Sequence, residues 1–351
     1  MPENPVTTAV QRIPHLLLFA ALAVGLLALP WLVDGMLGVT WVRILSFAAL
    51  YVMLALGLNI TVGYAGLLDL GYIAFFAVGA YTYALLSSPQ FGLHWPLWAT
   101  LPLAAGTAGL FGLLLGTPLL RLRGDYLAIV TLGFGEITRI FINNLNSPVN
   151  ITNGPQGVNQ IDSLRLAGID LAQTLSLGVL EVPAAYLPCL LFTALAALLA
   201  WSCARLERSR IGRAWQAIRE DPLAAAACGI DLRRYKLLAF ALGASAGGMA
   251  GGLFAGFQGF ISPESFSLIE SIMVLCMIVL GGMGNVPGVI VGAIILATLP
   301  EALRALGPLQ QGLLGHVWVD PADLRMLVFG LALVAMMLLR PAGLWPKGAG
   351  R

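Results

Sequence analysis

The chain has 351 residues, of which 59% are hydrophobic and only 10% charged. A soluble domain carries about 25% charged residues, so this composition excludes an ordinary globular protein and points to one embedded in a bilayer. The net charge of +2 is uninformative, and the basic residues form no aromatic-interleaved patch of the kind that nucleic acids need.

The chain opens with "MPENPVTTAVQRIPHLLLFAALAVGLLALPW". Arg12 precedes an apolar run, but no small-x-small site stands just before a polar mature start, so the run reads as an uncleaved first span rather than a signal peptide. A span takes roughly 20 apolar residues. By that measure the chain offers ten: 15–33, 41–62, 70–88, 96–120, 125–145, 182–206, 236–260, 266–283, 286–305 and 323–340. Only "GYAGLLDLG" separates the second from the third, and only "GGMGNVPG" the eighth from the ninth. Either pair could form a broken or re-entrant helix, which gives a range of eight to ten. Such breaks are tolerated at membrane depth only where the freed backbone faces protein or water. The reading is therefore an all-α polytopic membrane protein, a single transmembrane domain over 1–351. Within it lie an N-terminal span at 1–40, a core at 41–345, an extracytoplasmic loop at 146–182 and a cytoplasmic loop at 205–236.

The placement of the basic residues orients the chain. With ten spans, both termini share a side with the loops after spans two, four, six and eight. Fourteen of the 19 Lys and Arg residues fall there, leaving Arg43, Arg139, Arg165, Arg304 and Arg325 elsewhere. Lysine and arginine mark the cytoplasmic side. The opposite loop, Asn146–Val182, is poor in basic residues and contains the turn-forming "TNGPQG".

Cys189, Cys203 and Cys276 lie in apolar runs and Cys228 in the 205–236 loop. His15, His94 and His316 are far apart. There is no CxxC or HExxH spacing, so neither a disulfide framework nor a metal site is supported, and no cofactor is expected. The 41 glycines include the run "ASAGGMAGGLFAGF", spaced for close helix approach. A loose similarity between "GYAGLLDLGYIAFFAVGA" and "GGMGNVPGVIVGA" suggests inverted halves.

Ionisable groups at membrane depth are costly, which makes them candidates for a pathway. Asp69, Glu136 and Glu270 qualify, together with the polar Asn59. Glu136 and Arg139 stand three apart, so a structural helix pair is favoured there over a proton relay.

The stretch "GRAWQAIREDPLAAAACGID" differs from the rest. Ile211, Trp215 and Ile218 recur on one face of a helix, with Arg213 and Glu220 on other faces. Asp221 then reads as an N-cap before a proline at the first helical position. "LAAAAC" continues a second short helix, and Gly229 stops it. Two capped helices joined at a corner suit docking in a groove of another protein, with Ala224 and Ala225 on the smooth face. The alternative for the same arginines is a headgroup anchor, which leaves the capped alanine helix unexplained.

Ala224, Ala225 and Gly229 match the spacing of the Glu-Ala-Ala, three residues, Gly loop by which permeases of ABC importers dock on their ATP-binding subunit. Leu223 stands where the glutamate would be, a departure usual in the permeases of branched-chain amino-acid importers. "QGFISPESFSLIESI", "VLGGMGNVPG", "RLRGDYLAIVTLGFGEITRI", "NGPQGV" and "LRPAGLW" resemble that family from residue 41 onward. The resemblance is closest to the larger of its two paired permeases, and permeases for urea and short amides share much of the text. Asp69 departs from the small or apolar residue of the family pattern. The resemblance implies a non-catalytic inner-membrane subunit and a heterodimer with a second permease. It also implies two ATP-binding cassette subunits and an extracytoplasmic substrate-binding protein. No G-x-x-x-x-G-K-[ST] is present to cradle ATP phosphates, so energy would come from a partner. The rival reading is a proton-coupled secondary carrier titrating Asp69 and Glu136.

Overall fold

A computed structural model describes residues 28–304, apart from 121, 123, 148, 167–168 and 178–179. It also describes Gly25 and residues 327–328, 330–331, 334–336, 338–340 and 343–345. Most of the expected first span, much of the tenth, and Arg12, Arg121, Arg123, Arg325, Lys347 and Arg351 lie outside the described residues.

Among the described residues the chain is overwhelmingly helical. The long helices are α1 (Ala28–Leu37), α2 (Val39–Leu58), α3 (Ile73–Leu86), α4 (Leu97–Leu119), α5 (Asp125–Asn144) and α6 (Tyr186–Arg208). Two short helices follow, α7 (Arg210–Glu220) and α8 (Pro222–Ala227). Then come α9 (Leu232–Gln258), α10 (Leu268–Gly281) and α11 (Val286–Arg304). The bounds of α2 to α6 and α9 to α11 fall within four residues of the expected spans, because predominantly apolar runs set them.

Six of these segments are long and apolar enough to cross a membrane. Helix α5 matches them in length but carries Asp125, Glu136 and Arg139. Helix α3 has only 14 residues, roughly 21 Å of rise and short of a 30 Å hydrocarbon core.

Helix α9 is the hub. It packs along α3 and α4 and also touches α2, while α2 meets α6 and α11. The approach to α3 and α4 is close because the contact positions carry no side chain. A Cβ on Gly79 would stand 2.1 Å from the Gly248 carbonyl oxygen, and one on Gly251 would stand 2.1 Å from that of Phe76. Backbones this close gain dispersion contacts that apolar lipid cannot match.

The glycine-marked break after α2 is real. The last turn widens over Asn59–Tyr64 to a π-helical turn, with the Ala65 amide donating to the Ile60 carbonyl at 3.3 Å. Residues 65–72 then run without regular structure before α3 begins. Both backbone groups of Leu70 are met by side chains from two other helices. The Leu70 amide donates to Thr131 Oγ1 at 3.0 Å, and Ser271 Oγ donates to the Leu70 carbonyl at 2.6 Å. Irregular backbone in lipid needs this kind of protein lining.

The segment between α5 and α6 departs from purely helical structure. It forms two antiparallel hairpins, β1 (Arg165–Leu166) with β2 (Ile169–Asp170) and β3 (Leu175–Leu177) with β4 (Leu180–Val182). It is tied to the α3–α4 turn by an His94–Asp162 contact at 2.6 Å and to the α9–α10 turn by a bridge between Val158 and Ile261.

Candidate functional site

The strongest candidate is the basic segment that leaves the bundle after α6. Ser209 ends α6 and caps α7, its hydroxyl accepting from the Gly212 amide at 3.2 Å. At the corner Asp221 Oδ1 accepts from the Leu223 and Ala224 amides at 2.8 and 3.3 Å, with Pro222 at the first helical position. Gly229 adopts φ +83°, a conformation that only glycine takes without strain. Asp231 then caps α9 through the Arg234 amide.

Burial divides the segment into two faces. Trp215 and Ile218 are buried within this chain, and so is Ala225 at 3% exposure. Trp215 Nε1 donates to the Tyr235 carbonyl at 2.7 Å, and its ring stacks on Tyr64 at 6.4 Å. These residues hold the segment to its own bundle. Arg213, Glu220, Asp221, Leu223, Ala224 and Gly229 are exposed. The surface available for docking is therefore the outer face of α7 and α8, without Trp215 and Ala225.

One exposed side chain, Arg219, reaches back from the segment to the helix break. Arg219 Nη1 donates to the Gly63 carbonyl oxygen at 2.5 Å. The third element of the cluster is the turn between α10 and α11, where the Gly284 amide donates to Asn59 Oδ1 at 2.9 Å. Gly63 and Gly284 sit in contact, so tightly that a Cβ on Gly63 would stand 2.7 Å from the Gly284 nitrogen. The basic segment, the π-helical turn and the α10–α11 turn are thus one hydrogen-bonded unit. Arg219 was not among the residues singled out from sequence. The only hint was its spacing of four from Trp215, on the edge of the buried face.

The other expected pathway residues fall in separate places. Asn59 is fully buried in the cluster, and its Nδ2 has no hydrogen-bond partner among the described residues. Asp69 is 2% exposed inside the broken stretch. Its Oδ1 accepts from the Gly71 amide at 3.0 Å, while Oδ2 has no hydrogen-bond partner among the described residues. Glu136 pairs with Arg139, which also donates to Glu264 at 3.0 Å, so the helix pair extends into a three-residue ion cluster. Glu270 accepts from the Tyr51 hydroxyl at 2.9 Å. Asp69 and Glu136 thus have separate partners, and no contact joins them into a relay among the described residues.

A family model described as "Branched-chain amino acid transport system / permease component" matches residues 40–337. The chain is 43% identical over 320 residues to the high-affinity branched-chain amino acid transport system permease protein LivM of Escherichia coli (strain K12), covering 87% of this chain and 70% of that one. It is 26% identical over 341 residues to a probable branched-chain amino acid transport permease protein LivM of Methanocaldococcus jannaschii, covering 87% and 92%. A shorter match, 36% over 100 residues, joins it to the LivH permease of Escherichia coli (strain K12), covering 28% and 32%. No solved structure matches significantly.

Proposed function

The chain belongs to the branched-chain amino acid transport permease family, and from that premise we propose that it passes leucine, isoleucine and valine inward as one half of a paired permease. It is the membrane permease subunit of an ATP-driven importer, a multi-pass inner-membrane protein. In our reading it has about ten spans in inverted halves, with cytoplasmic termini. The partners are a second permease, two ATP-binding cassette subunits and an extracytoplasmic binding protein.

The similarity to LivM permeases carries the substrate class. Urea and short amides remain the second reading only on shared motifs, because the curated relatives reported above are named for branched-chain amino acids.

The Arg219–Gly63 bond supports a route for the energy. The outer face of α7 and α8 docks on an ATP-binding subunit. Closure of the two ATP-binding subunits moves the segment, and Arg219 carries that displacement to the π-helical turn and, through Asn59, to the α10–α11 turn. The irregular 65–72 stretch, held by a few isolated hydrogen bonds rather than a helical ladder, is the part of the wall that yields. This is two-state gating by displacement of packed helices around a hinge.

The substrate claim is tested with the four subunits and binding protein in proteoliposomes. Uptake of labelled leucine should be suppressed by excess isoleucine or valine and untouched by urea or acetamide. Suppression by urea or acetamide alone would move the protein to the amide group.

A further inference from the structure

We infer that a pocket where α2, α3, α9 and α10 meet is a transit site for one zwitterionic aliphatic amino acid, with Glu270 receiving its ammonium group. The inference rests on the substrate class proposed above and adds a place and a mode of recognition.

The pocket has a volume of about 220 Å³. At about 30 Å³ per water it would hold roughly seven waters, the scale of a single aliphatic amino acid. Its apolar wall is Phe47, Leu50, Leu54, Ile73, Phe76 and Phe254, of which Leu50, Leu54, Ile73 and Phe76 are buried. Its polar groups are Glu270, Tyr51 and Ser265. An apolar chamber with a few convergent polar groups is the usual form of a small-molecule site.

The electrostatics select the ligand. Glu270 is half-buried, and no Lys, Arg or His pairs with it among the described residues. The Tyr51 hydroxyl supplies one hydrogen bond. A carboxylate inside a membrane bundle is costly unless it meets water or a cation. An α-ammonium group is such a cation, and the aromatic rings of Phe47, Phe76 and Phe254 line the same pocket. A branched aliphatic side chain covers the remaining wall. Urea would leave the wall wetted and the carboxylate uncompensated, and an aliphatic acid without the amine would bring a second carboxylate with no ammonium to offset it.

The pocket also adjoins the break. Ile73 and Phe76 stand in the first turn of α3, directly after the irregular stretch. Ser271, next to Glu270, holds the Leu70 carbonyl at 2.6 Å. Occupancy of Glu270 therefore bears on the same α10 turn that fixes the break.

The test is photo-crosslinking with diazirine-bearing leucine on the complete reconstituted transporter. Label should enter peptides containing 47–54, 73–76 or 254. Unlabelled leucine should displace it and 4-methylpentanoate, which lacks the amine, should not. Glu270→Gln should cut labelling about tenfold and raise the KM for leucine uptake, with Glu270→Asp intermediate. Leu54→Trp, which fills the chamber, should cut labelling with the carboxylate intact and so covers the case in which Glu270→Gln fails to assemble. Label confined to other peptides, or full labelling in both variants, would overturn the transit site. If the wild-type transporter takes up leucine and these outcomes still fail, this inference alone falls. If it takes up no leucine at all, the substrate class falls first.

Discussion

Arg219 on α7 donates through Nη1 to the Gly63 carbonyl oxygen at 2.5 Å, across 156 residues of sequence. The bond joins the segment proposed to dock on a partner to the helix terminus between α2 and α3 that is wound as a π turn. A hydrogen bond from a charged group contributes about 1.5–3 kcal/mol, enough to transmit a displacement that neutral packing alone would absorb.

Arg219→Ala should therefore uncouple the machine. Partner subunits should co-purify as in the wild type, since Arg213, Glu220, Leu223 and Ala224 of the exposed face are unchanged. Leucine uptake per ATP hydrolysed should fall about tenfold or more, because each 1.4 kcal/mol is a factor of ten. Arg219→Lys, with a point charge able to reach the same carbonyl, should recover part of the loss. Unchanged stoichiometry in Arg219→Ala would remove it from the transmission route.

Ala224 and Ala225 should behave differently although they are neighbours. Ala224 is exposed and Ala225 is 3% exposed against this chain's own core. Ala224→Arg should insert and fold normally yet lose the ATP-binding subunits on purification. Ala225→Arg forces a charge into a packed contact and should cost several kcal/mol of the permease's own stability, visible as a lower unfolding temperature of the isolated subunit. A headgroup-anchor role predicts tighter membrane contact and full subunit retention for Ala224→Arg.

Glycine substitutions should separate close approach from mere flexibility. In Gly251→Val the new Cβ meets the Phe76 carbonyl at 2.1 Å and the Ala80 nitrogen at 2.8 Å. Neither is a flexible side-chain tip, so the cost should reach or exceed the roughly 1–3 kcal/mol of ordinary overpacking. Gly133→Ala, with nothing within 4 Å of its Cβ, should be neutral or stabilising by up to about 1 kcal/mol. Thermal unfolding in detergent gives both values, and equal effects would refute the packing argument for α9.

The orientation makes a separate prediction. Single cysteines at Arg208 and at Asn153 in a cysteine-free background should label with an impermeant maleimide from opposite faces of the membrane. Labelling from the same face would contradict the ten-span arrangement.

Local chemistry was legible in the sequence and long-range chemistry was not. Asp221-Pro222 and Gly229 announce a corner and a stop because each acts on its own backbone within three residues. The Glu136–Arg139 pair was legible as a helix spacing for the same reason. Its third member, Glu264, lies 125 residues away from Arg139 and leaves no periodic signal. "GYAGLLDLG" marked a break, but the groups that satisfy that break, Thr131 and Ser271, are ordinary hydroxyl residues on other helices. Ala225 matched a docking pattern, yet a small apolar residue suits an internal contact equally well, and only burial decides between them. The hairpins at 165–182 were missed because strands of two or three residues are too short to show alternation.

The most direct test of the central claim is leucine uptake into proteoliposomes holding the permease with its partner permease, ATP-binding subunits and binding protein, with no ion gradient imposed. Uptake should require ATP and vanish when the ATP-binding subunits are omitted. Uptake driven by an imposed proton gradient in vesicles without those subunits would contradict it.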